Sequence, residues 1–232
     1  MIDNKIICSN CKTVNPLYSL NCNNCRAFLR PKISNIDFWE TTWQLFYEPT
    51  KAFTKIIQAE KKNYLLLILS LIFVKFSLSH YTIHQFVDNN NDNSITIYSS
   101  LIWGGGVSLL LIFSFSLMLF IVLKLTKTET RYKDNIAIIS YSFTPLILSF
   151  LFLTPFHIAL FGLYWYTLNP MPVIIKPLVS YILYFIEVVF HLWLLVLLFF
   201  SAYVQSLKKI LSIIFSLFFF IVLFVALINL PF

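Results

Sequence analysis

Charge and glycine are both in short supply. Only 12% of the 232 residues are Asp, Glu, Lys or Arg, about half the roughly 25% of an ordinary globular chain. With 59% hydrophobic residues, 25 Phe among them, a water-facing surface could not be covered, and a disordered chain is excluded on the same numbers. Four Gly rule out a collagen. Three of them, Gly104, Gly105 and Gly106, stand together but lack the Lys-Ser/Thr of a phosphate-binding loop. No Gly-x-Ser-x-Gly elbow, His-Glu-x-x-His helix or Gly-x-Gly-x-x-Gly turn occurs, so the chain is not expected to be an enzyme. The four Cys all fall within the first 25 residues, which leaves no framework for a disulfide-stapled secreted module. The first thirty residues hold no apolar core for a cleavable signal peptide, so targeting falls to the first spanning helix.

What the chain has instead is apolar length, with a mean hydropathy of +0.79. A helix rises ~1.5 Å per residue, so a ~30 Å hydrocarbon core needs about 20 apolar residues. Five segments qualify: 64–86, 101–125, 136–156, 177–203 and 210–230. The glycine triplet at the start of the second would let a neighbouring backbone approach closely. In the third, Pro145 predicts a kink and Pro155 the end of the helix, because proline has no N–H to donate and clashes with the preceding turn. Residues 158–168 are then expected at the interface, with Tyr164, Trp165 and Tyr166 at headgroup level.

The net charge of +7 reads as topology rather than nucleic-acid binding. Lys5, Lys12, Arg26, Arg30, Lys32, Lys51, Lys55, Lys61 and Lys62 precede the first span, while the first loop carries only Asp88 and Asp92. Lys124, Lys127, Arg131 and Lys133 flank the second loop, Lys208 and Lys209 the fourth, and Lys176 alone the third. Positive loops stay in the cytoplasm, which places the N-terminus inside and the C-terminus outside.

Cys8, Cys11, Cys22 and Cys25 form two Cys-x-x-Cys pairs ten residues apart. Such pairs supply four thiolates to one tetrahedral ion, with Asn10, Asn23 and Asn24 expected to take the tight backbone of the knuckles. In a reducing cytoplasm paired thiols point to metal, so a structural Zn2+ ribbon over 1–32 is the leading reading. Two disulfides, idle thiols and an iron–sulfur site are the alternatives. Four Cys ligands leave no open position, so the site is structural.

Residues 33–62 read as amphipathic juxtamembrane helices. Phe38, Trp39, Trp43, Phe46 and Tyr47 fall largely on one face. Pro49 would open a second helix, where its missing N–H costs nothing. There Lys51, Lys55, Lys61 and Lys62 are expected to reach lipid phosphates; a helical hairpin packed on the bundle is the rival reading. Arg26, Arg30 and Lys32 are expected to meet anionic lipid or to serve orientation.

This layout resembles the Yip family, the Ypt/Rab-interacting integral membrane proteins, in its prokaryotic branch with an N-terminal zinc ribbon. The likeness rests on "LFYEPTKAFTKIIQAEKKNYLLLILSLIF" (45–73), with Pro49, and on "AIISYSFTPLIL" (137–148), where Tyr141, Ser142 and Pro145 match the family's signature. Five spans with a very short tail complete it. No close counterpart of the eukaryotic Asp-Leu-Trp-Gly-Pro segment occurs, so the resemblance implies a membrane-organising or trafficking role without catalysis or Rab binding.

Ionisable groups in hydrocarbon are functional suspects. Lys75 lies in the first span; Glu187 and His191 lie one turn apart on the fourth, and His80 and His157 nearer the outer surface. Lys75 is expected to pair with Glu187 across facing helices, with His191 donating to a carbonyl or Tyr; a snorkelling Lys75 and an ion or metal pathway stay open. The fold expected is an all-α integral membrane protein, with a five-helix transmembrane bundle over 63–232. Its expected function is a non-enzymatic scaffold with a ribbon docking module, the alternative a small transporter or channel using Lys75, Glu187 and His191. The bilayer and a protein docked on ribbon or bundle are the expected partners, a homo-oligomer stays open, and no nucleic acid is expected.

Overall fold

A computed structural model of the chain describes residues 5–87 and 97–229. The loop carrying Asp88 and Asp92 and the last residue of the expected fifth span lie outside the described residues. The chain divides into two compact units. The first comprises Met1–Leu66, Phe113–Ser142 and Val196–Leu217, the second Leu67–Ile112, Phe143–Leu195 and Phe218–Phe232.

The first unit begins with a hairpin in which β1 (Lys5–Ile7) pairs antiparallel with β2 (Val14–Pro16). Two short helices follow, α1 (Phe38–Tyr47) and α2 (Pro49–Gln58). Asp37 caps α1 by accepting from the Glu40 N–H at 2.8 Å, and Glu40 in the first turn suits the positive helix end. Glu48 leaves the helical region because Pro49 follows it, and Pro49 then opens α2. The base of this pair is tied by Asn63, whose amide accepts from the Ile36 N–H and donates to the Ile36 carbonyl. The two helices use their faces differently. α1 buries Thr41, Thr42 and Leu45 and leaves Trp39, Trp43 and Tyr47 exposed. α2 buries Ala52, Phe53, Ile56 and Ile57 and packs against α6 (Tyr132–Ser142).

Five helices among the described residues are long and apolar enough to cross a membrane: Leu65–Gln85, Ile97–Leu125, Tyr132–Phe161, Pro177–Ser206 and Lys209–Asn229. They correspond to the five expected segments. The first lies in α3 (Leu65–Val87). The second is α4 (Ile97–Ser100), a π-helical stretch Leu101–Gly106 and α5 (Val107–Leu125). In the second unit a Cβ on Gly104 would sit 2.5 Å from the Phe76 carbonyl oxygen, and one on Gly105 2.5 Å from Ser77 Oγ. Helix backbones meet there with no room for a methyl. Gly104→Ala is therefore expected to destabilise the protein by about 1–3 kcal/mol. A methyl on Gly106 meets nothing within 4 Å, so Gly106→Ala should be neutral or better when both variants are compared by thermal unfolding in detergent.

The third span departs from expectation at the second proline. The helix breaks at Phe143, between α6 and α7 (Thr144–Phe161), two residues before Pro145. Pro145 cannot donate to the Tyr141 carbonyl, and its ring disfavours a continuous helix on the preceding turn. Pro155 does not end the helix. α7 runs on to Phe161 and stops at Gly162, whose φ of +60° suits glycine; an interior proline survives in an apolar helix where its surroundings compensate the lost bond. Trp165, in the short α8 (Tyr164–Thr167), is buried against Leu153, Phe161 and Leu183 and stacks on His157 at 3.9 Å. It is a core ring rather than an interfacial one, while Tyr164 stays exposed. A further turn, α9 (Pro172–Ile175), leads into α10 (Pro177–Ser206), and α11 (Lys209–Asn229) follows.

Candidate functional site

Two constellations stand out, one in each unit. In the first unit the Cys8, Cys11, Cys22 and Cys25 sulfurs all lie within 4.8 Å of one another. Cys8 and Cys25 Sγ are 3.6 Å apart, Cys11 and Cys22 Sγ 3.4 Å. Bonds of ~2.3 Å to a tetrahedral zinc would set sulfurs about 3.8 Å apart, so the quartet fits such an ion with small adjustment.

The two knuckles are built alike. The Cys8 N–H donates to the Thr13 carbonyl and the Lys12 N–H to the Cys8 carbonyl; the Cys22 N–H and the Arg26 N–H repeat the pattern with Ala27 and Cys22. The left-handed positions are Lys12 (φ 60°) and Arg26 (φ 59°). Each directly follows the second Cys of its pair, while Asn10, Asn23 and Asn24 lie within the turns themselves. Hydrogen bonding to the Thr13 side chain and backbone pulls the Cys11 thiol down to about 5. The Cys25 thiol, although the Ala27 backbone pulls it down, is pushed up to about 11 by neighbouring Cys11 and by burial. Thiols this close resist joint ionisation, and a bound cation removes that conflict.

The cysteine segment is fastened to the rest of its unit by two arginines. Arg30 donates to the carbonyls of Tyr18 (2.9 Å), Ser19 (3.2 Å) and Gln58 (2.8 Å). Arg131 stacks over the Tyr18 ring at 4.3 Å and donates to the Ile57 carbonyl. Arg131 also meets Asp134 at 2.7 Å, and the other Asp134 oxygen lies 3.0 Å from Lys62 Nζ. Lys62 completes its shell with the Ile56, Ile57 and Ala59 carbonyls at the end of α2, where a cation suits the negative helix terminus. Burial pulls the Lys62 ammonium down, and Asp134 opposes that. Thr130 and Asn135, which flank this cluster in sequence, form a hydrogen-bonded group with the distant Gln205.

Lys62 and Arg30 depart from expectation here; Lys51 and Lys32 are paired but remain more than half exposed. Lys62 is only 7% exposed and pairs within the protein, so it does not reach phosphates. Lys55 and Lys51 pair with Glu40 and Glu48. Arg30 holds backbone carbonyls, and Lys32 meets Glu60 at 3.2 Å. Asp134, 1% exposed, was missed: it sits in a charged stretch that reads as loop. Its one sequence signal is Arg131 three residues earlier, a spacing that faces the pair together once a helix starts there.

In the second unit Lys75 Nζ lies 3.0 Å from Glu187 Oε1. Ser149 Oγ donates to Glu187 Oε2 at 2.8 Å and lies 3.4 Å from Lys75 Nζ. Ser149 had no marker in the sequence beyond being a hydroxyl in an apolar run. His191 Nδ1 is 2.6 Å from the Glu187 carbonyl oxygen on its own helix. His80 and His157 are buried. A half-enclosed cavity of about 270 Å³ brings Lys75, Glu187, His157 and His191 together with apolar walls. Glu187→Gln is expected to lose about 2.5–3.5 kcal/mol, the cost of an unmatched charge at this depth. Adding Lys75→Met should restore much of it, so thermal unfolding of both single variants and the double variant in detergent should be strongly non-additive; additive losses would remove the pairing.

The remaining motif residues mark turns. Ser142 Oγ donates to the Ile138 carbonyl at 2.9 Å and lies 3.4 Å from the Leu197 carbonyl, and Tyr141 is fully buried. Ser142 and Pro145 flank the Phe143 break, and Pro49 opens α2.

Five apolar crossing-length helices, two of them joined by the Lys75–Glu187 ion pair, define a polytopic α-helical membrane protein. The family model described as the Yip1 domain matches residues 43–229, and the chain belongs to that family. The match begins beyond the four cysteines. No curated protein and no solved structure matches the chain.

Proposed function

We propose that this is a non-enzymatic scaffold that organises membrane-associated assemblies, with residues 1–32 a structural zinc ribbon serving as its cytoplasmic docking module. The observation that carries the reading is the way the cysteine segment is held. Arg30 and Arg131 bind it to α2 and to the start of α6 through four backbone carbonyls, one aromatic face and Asp134. A module meant to dock a partner gains from such rigidity, because less freedom is lost on binding. The exposed Trp39, Trp43 and Tyr47 face of α1 suits the headgroup layer, where amphipathic rings settle. Lys124, Lys127, Lys208 and Lys209 belong to this same unit, and such a concentration of positive charge supports a cytoplasmic location.

The test is affinity purification of the full chain from native membranes, with mass spectrometry, beside a Cys8→Ser/Cys11→Ser variant. The intact protein should recover a defined larger assembly, and the variant should lose the components that dock on the ribbon. Equal recovery by both would remove the docking role; a solitary protein would remove the scaffold.

A further inference from the structure

The cavity of the second unit has a chemistry that docking at the other end of the chain does not use. Its walls are mostly apolar, including Leu78, Ile83, Leu146, Phe150 and Leu227. The polar groups that line it include the Lys75–Glu187 pair, His157, His191, Thr154 and Tyr166. Both charges are largely buried and they cancel, so the site as a whole is neutral. Their capacity is nearly used up within the protein. Glu187 takes Lys75 on one oxygen and Ser149 on the other, and Lys75 has Glu187 and Ser149, leaving one N–H of the ammonium. His157, 3% exposed, presents an Nε2 that is buried and without a hydrogen-bond partner among the described residues. Such an atom costs about 1–3 kcal/mol if nothing meets it.

We infer that this cavity is a binding site for an uncharged amphiphile, an alkyl chain ending in a hydroxyl. A hydroxyl both donates and accepts. It can meet His157 Nε2 in either tautomer while accepting the remaining Lys75 N–H, which a carbonyl cannot do with both. The apolar walls then take the first part of the chain, in a volume of about 270 Å³, just under the roughly 300 Å³ at which ligand pockets begin. A carboxylate or quaternary ammonium head would bring an unmatched charge into a neutral, poorly hydrated place and is rejected. The same walls disfavour a water-filled ion path.

The probes are three photoreactive diazirine lipids with the same sixteen-carbon-class chain and different heads: an alcohol, a carboxylic acid and a trimethylammonium. Full-length protein in nanodiscs is irradiated with each, and labelled peptides of α7 and α10 are mapped by mass spectrometry, with and without excess hexadecanol. The alcohol should label the cavity residues in a competable manner, at least about tenfold above either charged probe. Thr154→Phe, which fills the cavity, should abolish the competable fraction and leave general lipid-facing labelling unchanged. Glu187→Gln leaves Lys75 unmatched and should turn the preference toward the carboxylate; Lys75→Met should turn it toward the ammonium. That reversal is not expected of a pair that only holds helices together. Where Glu187→Gln fails to fold, the wild-type head-group series and Thr154→Phe decide. Labelling that hexadecanol does not displace, or that ignores head-group charge, overturns the inference. So does proton flux in proteoliposomes carried by Glu187 without competable labelling.

Discussion

Removing the zinc proposed for Cys8, Cys11, Cys22 and Cys25 is expected to unfold residues 5–30 while the helices from Leu65 onward stay intact. The segment has one three-residue strand pair, a single bridge between Asn21 and Phe28, and few buried apolar side chains, Leu17 among them. So small a core cannot offset the entropy of ordering it. Closure of four thiolates on zinc contributes on the order of 10 kcal/mol in comparable small sites. One equivalent of zinc per chain is expected by elemental analysis, without the visible absorption that iron–thiolate centres show. A strong chelator should open the segment to proteolysis, with helix content by circular dichroism almost unchanged. A segment that resists protease equally well after complete metal removal would overturn the assignment.

Asp134→Asn is expected to have the next largest effect, a loss of about 3–5 kcal/mol. One carboxylate satisfies two cations, Lys62 at 3.0 Å and Arg131 at 2.7 Å, and it is almost completely buried. The amide keeps the shape and removes the charge, leaving Lys62 buried with only carbonyls around it. Asp134→Asn/Lys62→Met should recover part of the loss, since the uncompensated ammonium then disappears. Arg131 keeps its Tyr18 and Ile57 contacts in either variant. The measurement is thermal unfolding in detergent of the two single variants and the double variant; a neutral Asp134→Asn would show the cluster to be incidental.

The spans were legible because apolar length is a one-dimensional signal. Five runs of about twenty residues stand out whatever packs against them, and the observed helices fall on all five. Lys75 and Glu187 were conspicuous for the same reason, as charges set in otherwise apolar runs. Less legible was anything decided by what lies alongside. Pro155 ends a helix in water, yet α7 passes through it because its surroundings tolerate one missing N–H. Trp165 and Tyr164 are adjacent and equally amphipathic in sequence, yet one is buried and the other exposed. Lys62 and Asp134 sit in polar stretches 72 positions apart in the numbering, and nothing local says that they meet. Turn propensity points to the asparagines inside each Cys-x-x-Cys loop, and they do lie in the turns. The strained backbone falls just beyond each loop, on Lys12 and Arg26.

Arg131 and Asp134 carry a practical consequence for anyone who wishes to study the polar head apart from the bilayer. Cutting the chain ahead of Leu65 severs Tyr18, Ile57 and Lys62 from groups they contact more than sixty residues downstream. The excised piece would start life with a stranded ammonium, a bare tyrosine face and three outward-pointing rings. Poor solubility of that fragment would say nothing about the intact protein, whose head is completed by its own transmembrane helix.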